Sequence, residues 1–160
     1  MSCTRLAFIL ACGLYAASGL VAAEPVEILG SIGYYRAFLD EPGELAGGAA
    51  VRVRVARRWA IRPEFIASSY SDYLHTSLIG SVTFDVTDPD RPVVAYVSGG
   101  AGFLRTQDKR INYSYHEGVG IVGAGVRFAL GKYWTAGSEF RLGTNAFPLL
   151  TFNLGIKVGK

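Results

Sequence analysis

The sequence predicts an all-β fold, an eight-stranded antiparallel up-and-down barrel. Its clearest support is the alternation of apolar and polar residues over three C-terminal segments, residues 122–130, 134–142 and 150–158. Successive side chains of a β-strand point to opposite faces, so each segment forms a strand with one apolar face. The chain is also rich in glycine, with 20 residues, and after residue 23 no long segment has the period of a helix.

The N-terminus has the pattern of a secretory signal peptide. A positive charge at Arg5 is followed by an apolar run over residues 6–21 and by small residues up to Ala23. We therefore expect a signal peptide at residues 1–23 and one exported domain at residues 24–160. Both cysteines lie within the predicted signal, so the exported domain has no disulfide and no zinc-thiolate site.

The first three predicted strands each set an apolar face against a polar or small one. We place them at residues 26–38, 49–56 and 59–70. Apolar residues occupy alternate positions: Val26, Ile28, Ile32 and Tyr34, then Val51, Val53 and Val55, then Trp59, Ile61, Phe65 and Ala67. The other face is polar or small: Glu27, Ser31 and Gly33, then Arg52 and Arg54, then Arg62, Glu64 and Ser68.

The fourth and fifth strands, at residues 74–86 and 93–105, continue this period, and the three C-terminal segments complete the set. Their apolar positions include Leu74, Leu78, Val82, Phe84 and Val86, then Val93, Val97 and Phe103, then Val122, Val126, Phe128, Trp134, Phe140, Phe152 and Leu154. Short turn-like links alternate with longer polar ones, among them residues 39–48 and 106–118. All long loops should therefore lie at one end of the barrel, and all short turns at the other.

Alternation alone does not decide which face meets the surroundings. A soluble barrel buries its apolar face, whereas a transmembrane barrel turns that face outward to lipid. Small residues crowd the polar face, as the interior of a narrow eight-stranded barrel requires. That face also carries both signs of charge, which predicts an interior charge network: Glu27, Arg52, Arg54, Arg62, Glu64, Asp85, Arg127, Glu139, Arg141 and Lys157.

Aromatic residues at the strand ends give a third indication of which face of the barrel points outward. Two aromatic girdles flanking an apolar band are typical of a barrel that crosses a membrane. We expect these residues at the membrane interfaces: Trp59, Phe84, Tyr133 and Trp134 at the short-turn end, and Tyr34 and Phe103 at the long-loop end. Together with the signal peptide, the three observations favour a transmembrane barrel. A secreted or periplasmic lipocalin-like barrel that binds a small apolar ligand is the alternative.

A family resemblance rests on residues 96–103 (YVSGGAGF), residues 118–130 and the following Gly131-Lys132-Tyr133-Trp134. Over nearly its whole exported length the chain resembles the small eight-stranded outer-membrane β-barrels of Gram-negative bacteria, the porin-like or outer membrane protein A barrel group. This resemblance implies insertion by the outer-membrane assembly machinery, contact with outer-membrane lipids and lipopolysaccharide, short periplasmic turns and longer surface loops. The chain differs from the family in one respect. Members of the family end in an aromatic residue that belongs to their assembly signal, whereas this sequence ends in Lys160.

Catalysis receives little support from the sequence. Lipid A-modifying barrel enzymes exist, and the residues that could act in this way are His75 and Ser77, with Asp72 nearby. His116, next to Glu117, fits a solvated pair better than a metal site, and we expect no cofactor and no bound metal. Without Arg5 of the predicted signal, the exported chain has 15 basic and 13 acidic side chains, and this near-neutral balance of +2 gives no argument for nucleic acid.

We therefore expect a closed barrel that has no enzymatic activity. Eight strands enclose little space, so the inward charges should plug the interior. The role would be structural or one of surface interaction. The external loop at residues 105–118, which carries Tyr113 and Tyr115, is a candidate contact surface for a ligand that the sequence does not identify. The alternative is an ordinary hydrated loop that faces lipopolysaccharide.

Overall fold

The computed structural model describes residues 26–35, 43–144 and 147–159. Within them the chain forms eight strands: β1 Val26–Tyr35, β2 Glu44–Ala56, β3 Trp59–Tyr70, β4 Tyr73–Asp85, β5 Val93–Asp108, β6 Tyr113–Leu130, β7 Trp134–Gly143 and β8 Phe147–Val158. Each strand pairs with the next in antiparallel fashion, and β8 closes the barrel on β1. The predicted eight-stranded up-and-down barrel is confirmed.

The predicted signal peptide lies outside the described residues. Among the residues that are described, no helix is long and apolar enough to cross a membrane.

Several strands extend further than the sequence pattern predicts. β2 begins at Glu44 rather than at residue 49, and β5 and β6 pair as far as Asp108 and Tyr113. The expected loop at residues 106–118 is therefore wrong, since only residues 109–112 link the two strands. Backbone pairing needs no apolar face, so the ladder continues through polar and small residues that a hydrophobic period does not detect.

The distribution of long and short links also differs from the prediction. At the expected long-loop end, β3 and β4 are joined by only two residues, Ser71 and Asp72. At the other end, residues 86–92 form a longer link between β4 and β5. Positive φ angles of 49° at Ser71 and 50° at Asn112 make the two tight turns possible. The names short-turn end and long-loop end are kept below only as labels for the two ends of the barrel.

Neighbouring tight turns at the long-loop end are tied together. The backbone N–H of Lys109 donates to the carbonyl of Asp72 at 2.8 Å, and Arg110 forms an ion pair with the Asp72 carboxylate. A hydrogen bond to this carboxylate raises the pKa of the exposed Arg110 side chain above its ordinary value. The link between β5 and β6 is thus fastened to the adjacent hairpin.

Close approach of two strands explains one inward-facing glycine. A Cβ atom on Gly102 would lie 2.1 Å from the backbone oxygen of Leu78 and 2.7 Å from the Cα of Ile79. We expect Gly102→Ala to lower the free energy of unfolding by about 1–3 kcal/mol, because backbone rather than a flexible side chain must move. Denaturant unfolding of the refolded protein measures this. Gly118→Ala is the matched control, since nothing lies within 4 Å of its Cβ position, and equal losses in both variants would contradict the packing explanation.

Candidate functional site

The barrel is apolar outside and charged inside. Large hydrophobic side chains are exposed around the outer face, among them Ile32, Phe65, Leu78, Val82, Phe103, Val122, Phe140, Phe152 and Leu154. Along β8 the contrast is direct, because Phe152 is 57% exposed while neighbouring Thr151 is 3% exposed. A soluble lipocalin-like barrel requires the opposite arrangement, with the apolar face turned inward.

The ten residues of the predicted interior charge network all lie on the inward side of the wall. Seven are buried: Glu27, Arg52, Arg62, Glu64, Asp85, Glu139 and Arg141. Arg54, Arg127 and Lys157 are half-buried and lie towards the short-turn end. Eight of the ten form two separate clusters, described below. The other two, Arg54 and Lys157, lie at the mouth of the barrel at the short-turn end.

The central cluster is built around Glu139, which is completely buried. Arg62 donates through Nη1 and Nη2 to its two carboxylate oxygens at 2.8 and 3.0 Å, and Arg141 Nη2 donates at 2.8 Å. Ser98 and Tyr96 donate their hydroxyls to the same carboxylate at 2.6 and 3.2 Å. Glu139 thus receives five hydrogen bonds from four side chains of the described residues.

Glu64 completes the central cluster. It accepts from Arg141 Nη2 at 2.9 Å and from Nη1 of the same guanidinium, and its carboxylate lies 3.8 Å from Arg62 Nε. Two arginines and two glutamates therefore balance in charge across the barrel. Such an arrangement offsets the desolvation of buried ions, which otherwise costs several kcal/mol per ion.

A second charged cluster lies towards the short-turn end. Asp85 is completely buried and accepts from Arg52 and Arg127, each at 3.2 Å. Arg52 Nη1 also lies 3.5 Å from Glu27, whose other partner is the hydroxyl of Thr135. This lower cluster again contains two cations and two anions.

An apolar layer separates the central cluster from the long-loop end, and the sequence interpretation missed it. It consists of Ala46, Ile66, Ile79, Leu104, Val119, Ile121 and Leu149. All of these except Ala46 line a cavity of about 40 Å³. The sequence did contain evidence for this layer, because Ile79 lies at an alternate position of β4, between Ser77 and Ser81, and therefore faces the interior as they do. β4 shows the order of the layers from the short-turn end: Asp85, then Ser81 beside Arg62, then Ile79, then His75.

His75 forms a polar group above the apolar layer, with partners other than those expected. Its Nδ1 lies 3.0 Å from the Thr106 hydroxyl, and its Nε2 lies 3.6 Å from Glu44. Asp72 instead pairs with Arg110 in a turn, while Ser77 lines the apolar cavity. Glu44 and Thr106 were missed because both lie in segments that the sequence pattern assigned to links. No group of metal-ligating side chains occurs among the described residues.

The six predicted interface aromatics lie at the two ends of the outer face. Trp59 and Phe84 pack together with ring centroids 4.8 Å apart, and Tyr133 and Trp134 follow the β6–β7 turn at the same end. Tyr34 and Phe103 lie towards the opposite end, 52% and 69% exposed. Their role at a membrane interface stays a prediction.

Comparisons with known proteins agree with this geometry at the level of fold. No protein-family model and no curated protein sequence matches the chain. The chain is similar to the N-terminal β-barrel domain of Pseudomonas aeruginosa OprF (TM-score 0.67, 13% identity, covering 84% of this chain and 98% of that one). It is also similar to Neisserial surface protein A, NspA (TM-score 0.68, 13% identity, 88% and 100%).

A third solved structure of the same kind is Ail, the attachment invasion locus protein of Yersinia pestis (TM-score 0.52, 13% identity, covering 85% of this chain and 97% of that one). The chain therefore has the fold of the small eight-stranded outer-membrane β-barrels, as the resemblance implied.

Proposed function

We propose that this protein spans an outer membrane as a closed β-barrel with a structural or surface-interaction role, and that it catalyses no reaction. One observation supports the location above all: the exposed belt of the described barrel is apolar while its interior is charged. That arrangement suits a hydrocarbon surrounding and is costly in water. Residues 1–23 would direct export, the assembly machinery would insert the barrel, and its surroundings would be outer-membrane lipids and lipopolysaccharide.

The strands are long enough for this location. The shortest, β1 and β7, have 10 residues each, and β6 has 18. A tilted strand of about 9–11 residues crosses the hydrocarbon region. Closure through β1 and β8 also leaves no unpaired strand edge in lipid.

The layers described above support the further proposal that the interior is closed. Two clusters of ion pairs fill the lower and middle parts, and the apolar layer above them offers no favourable path for hydrated ions. We expect no stable ion-conducting state when the protein is reconstituted in planar lipid bilayers. A persistent conductance of the size seen with large porins would contradict a closed interior.

Cell fractionation tests the location. We expect the protein in the outer-membrane fraction, and we expect it to migrate differently on gels with and without boiling, because the folded barrel resists detergent. Recovery as a soluble periplasmic protein would instead favour the lipocalin-like alternative.

The absence of enzymatic activity has a separate test. Thr106, His75 and Glu44 form a hydroxyl–imidazole–carboxylate contact, but all three side chains are buried. Lipid A extracted from cells that overproduce the protein should have an unchanged mass. Loss or gain of an acyl chain would contradict the proposal.

A further inference from the structure

β6 extends beyond its neighbour β7 at the long-loop end of the barrel. It pairs with β5 from Tyr113 onward, whereas its pairing with β7 begins only at Ile121. The last contact on the β7 side is at Gly120, whose N–H donates to the Thr144 hydroxyl at 3.2 Å and whose carbonyl accepts from the Thr144 N–H at 2.9 Å. Within the described part of the chain, nothing pairs with this side of β6 at residues 113–119, which we call the β6 edge.

The backbone groups of every second residue point out of the β6 edge. In an antiparallel ladder, the N–H and C=O groups of one residue face one neighbouring strand, and those of the next residue face the other. Because Gly120 faces the β7 side, the backbone groups of Gly118, His116 and Ser114 face that side too. Each of these residues therefore offers one donor and one acceptor, in the arrangement of a strand that lacks a neighbour.

Most of the β6 edge lies beyond the apolar outer band. On β5 the outward residues are apolar or small from Val93 to Phe103, and the next one, Arg105, is exposed. A tilted segment of about 9–11 residues crosses the hydrocarbon region, so Arg105 lies near the headgroups. His116 pairs with Arg105, and the residues of β6 before it lie further out. In the proposed outer-membrane location, the edge is therefore accessible from outside the cell.

The β6 edge lacks the features that usually prevent an exposed strand from pairing. Proteins protect such edges with lysine, proline or a bulge. Residues 113–119 (YSYHEGV) contain neither lysine nor proline, and their register with β5 is continuous. The hairpin is also held in place, because Lys109 and Arg110 fasten its link to Asp72. A partner strand would therefore find the edge already ordered.

A second copy of the chain does not fit this edge. Two copies in one membrane run their β6 strands in the same direction through the bilayer, and strands tilted by about 35–45° would cross at about 70–90°. Strands that cross at such an angle cannot form a continuous ladder. An extended segment of a different protein, approaching from outside, can align antiparallel to β6.

The side chains beside the edge indicate the chemistry of this segment. Arg105 and His116 are exposed on the outer side, and none of the outward residues that the structure describes on β5 and β6 is acidic. Acidic side chains on the outer side of an added strand would complement this charge. Tyr113 and Tyr115 lie on the other side, where they would pack against β-branched side chains.

We propose that the β6 edge binds an extended, acidic segment of another protein by strand addition. The main chain of the segment pairs with Ser114, His116 and Gly118, and its acidic side chains lie on the outer side. The proposal rests on the proposed outer-membrane location only for the access of the partner. Binding in detergent tests the edge, and cell fractionation tests the location, so the two can fail separately.

Amide hydrogen exchange tests whether the edge is free. The exported chain is refolded in detergent micelles and followed by NMR. After correction for intrinsic rates, we expect the N–H groups of Ser114 and His116 to exchange at least about tenfold faster than those of Tyr115 and Glu117, because only the latter face β5. Equal protection of both sets would mean that another part of the chain or a second copy already covers the edge, and would overturn the proposal.

A blocked heptapeptide that alternates valine and glutamate is the probe for binding. We expect saturable binding that protects the amides of Ser114, His116 and Gly118 from exchange, and weaker binding of the matched valine–lysine peptide. Directly opposite residues share a face of the sheet, so the glutamate amides are those that face β6. The same peptide with N-methyl groups on its glutamates keeps every side chain but cannot complete the ladder. Equal binding of this control, or no saturable binding of the probe, would contradict strand addition, and equal binding of the lysine peptide would contradict the acidic assignment.

Two substitutions of one residue separate the main chain from the side chain. His116→Pro and His116→Ala both remove the imidazole, but only proline removes the N–H that faces the edge, and neither removes a bond to β5. We expect His116→Pro to weaken binding of the valine–glutamate peptide about tenfold or more, and His116→Ala less than about threefold. Equal losses would assign the effect to the side chain and overturn recognition by the main chain. The gel mobility of unboiled samples shows that each variant is folded.

Discussion

Val82→Arg is expected to lower the free energy of unfolding by about 2–4 kcal/mol, the cost of an arginine at the bilayer midplane. Val82 is exposed on the outer face of β4, three residues before the strand ends at Asp85 and between the levels of Phe84 and Phe103, with Ile61 and Gly99 opposite it on the neighbouring strands. Phe84 lies two residues nearer the short-turn end, and Leu78 and Phe103 pair towards the other end. Reversible unfolding from lipid vesicles, followed by tryptophan fluorescence, measures the loss.

Val86→Arg is the control for this variant. Val86 is also an exposed valine, at 51%, but it lies just beyond the end of β4 and past Phe84. An arginine at this depth can reach the lipid headgroups, so we expect a loss of only about 0–1 kcal/mol. Equal effects of the two substitutions would mean that the outer face does not contact a bilayer interior at Val82.

Glu139→Gln is expected to cost about 3–5 kcal/mol, the usual penalty for removing one partner of a buried ion pair. The substitution preserves the shape of the side chain but, among the described residues, leaves Arg62 and Arg141 with only Glu64 to balance them. The central cluster then carries a net positive charge in a buried site. Unfolding in the same vesicles gives the magnitude.

Two comparisons isolate the electrostatic part of this effect. Asp88→Asn breaks the exposed pair with Arg57, at 3.5 Å, and should cost no more than about 1 kcal/mol. Adding Arg62→Gln to Glu139→Gln restores neutrality, so the double variant should be less destabilised than the sum of the single losses. A Glu139→Gln cost as small as that of Asp88→Asn would contradict the importance of the cluster.

Which residues share a face of each strand could be predicted from the sequence, because successive side chains alternate between the two faces. Once Phe152 and Leu154 are assigned to one face of β8, Thr151 and Lys157 must lie on the other. The same rule places Arg62, Glu139 and Arg141 on the inward side. Small and charged residues on one face then favoured an interior over a wetted surface.

Pairings across the barrel could not be predicted in the same way. Arg62 and Glu139 are separated by 77 residues in sequence and meet only because the sheet closes. Strand ends were also beyond the pattern, since Glu44 and Thr106 lie where pairing continues through polar residues. The contacts of His75 were missed for this reason.

Depth-dependent quenching of tryptophan fluorescence tests the central claim, that the apolar outer face contacts lipid, most directly. Trp59 and Trp134 are the chain's two tryptophans, and each is 48% exposed on the outer face at the short-turn end. In vesicles of brominated phospholipids, we predict strong quenching that is greatest when the bromine lies near the headgroups, and little quenching by aqueous iodide. Efficient quenching by iodide together with none by brominated lipid would contradict it.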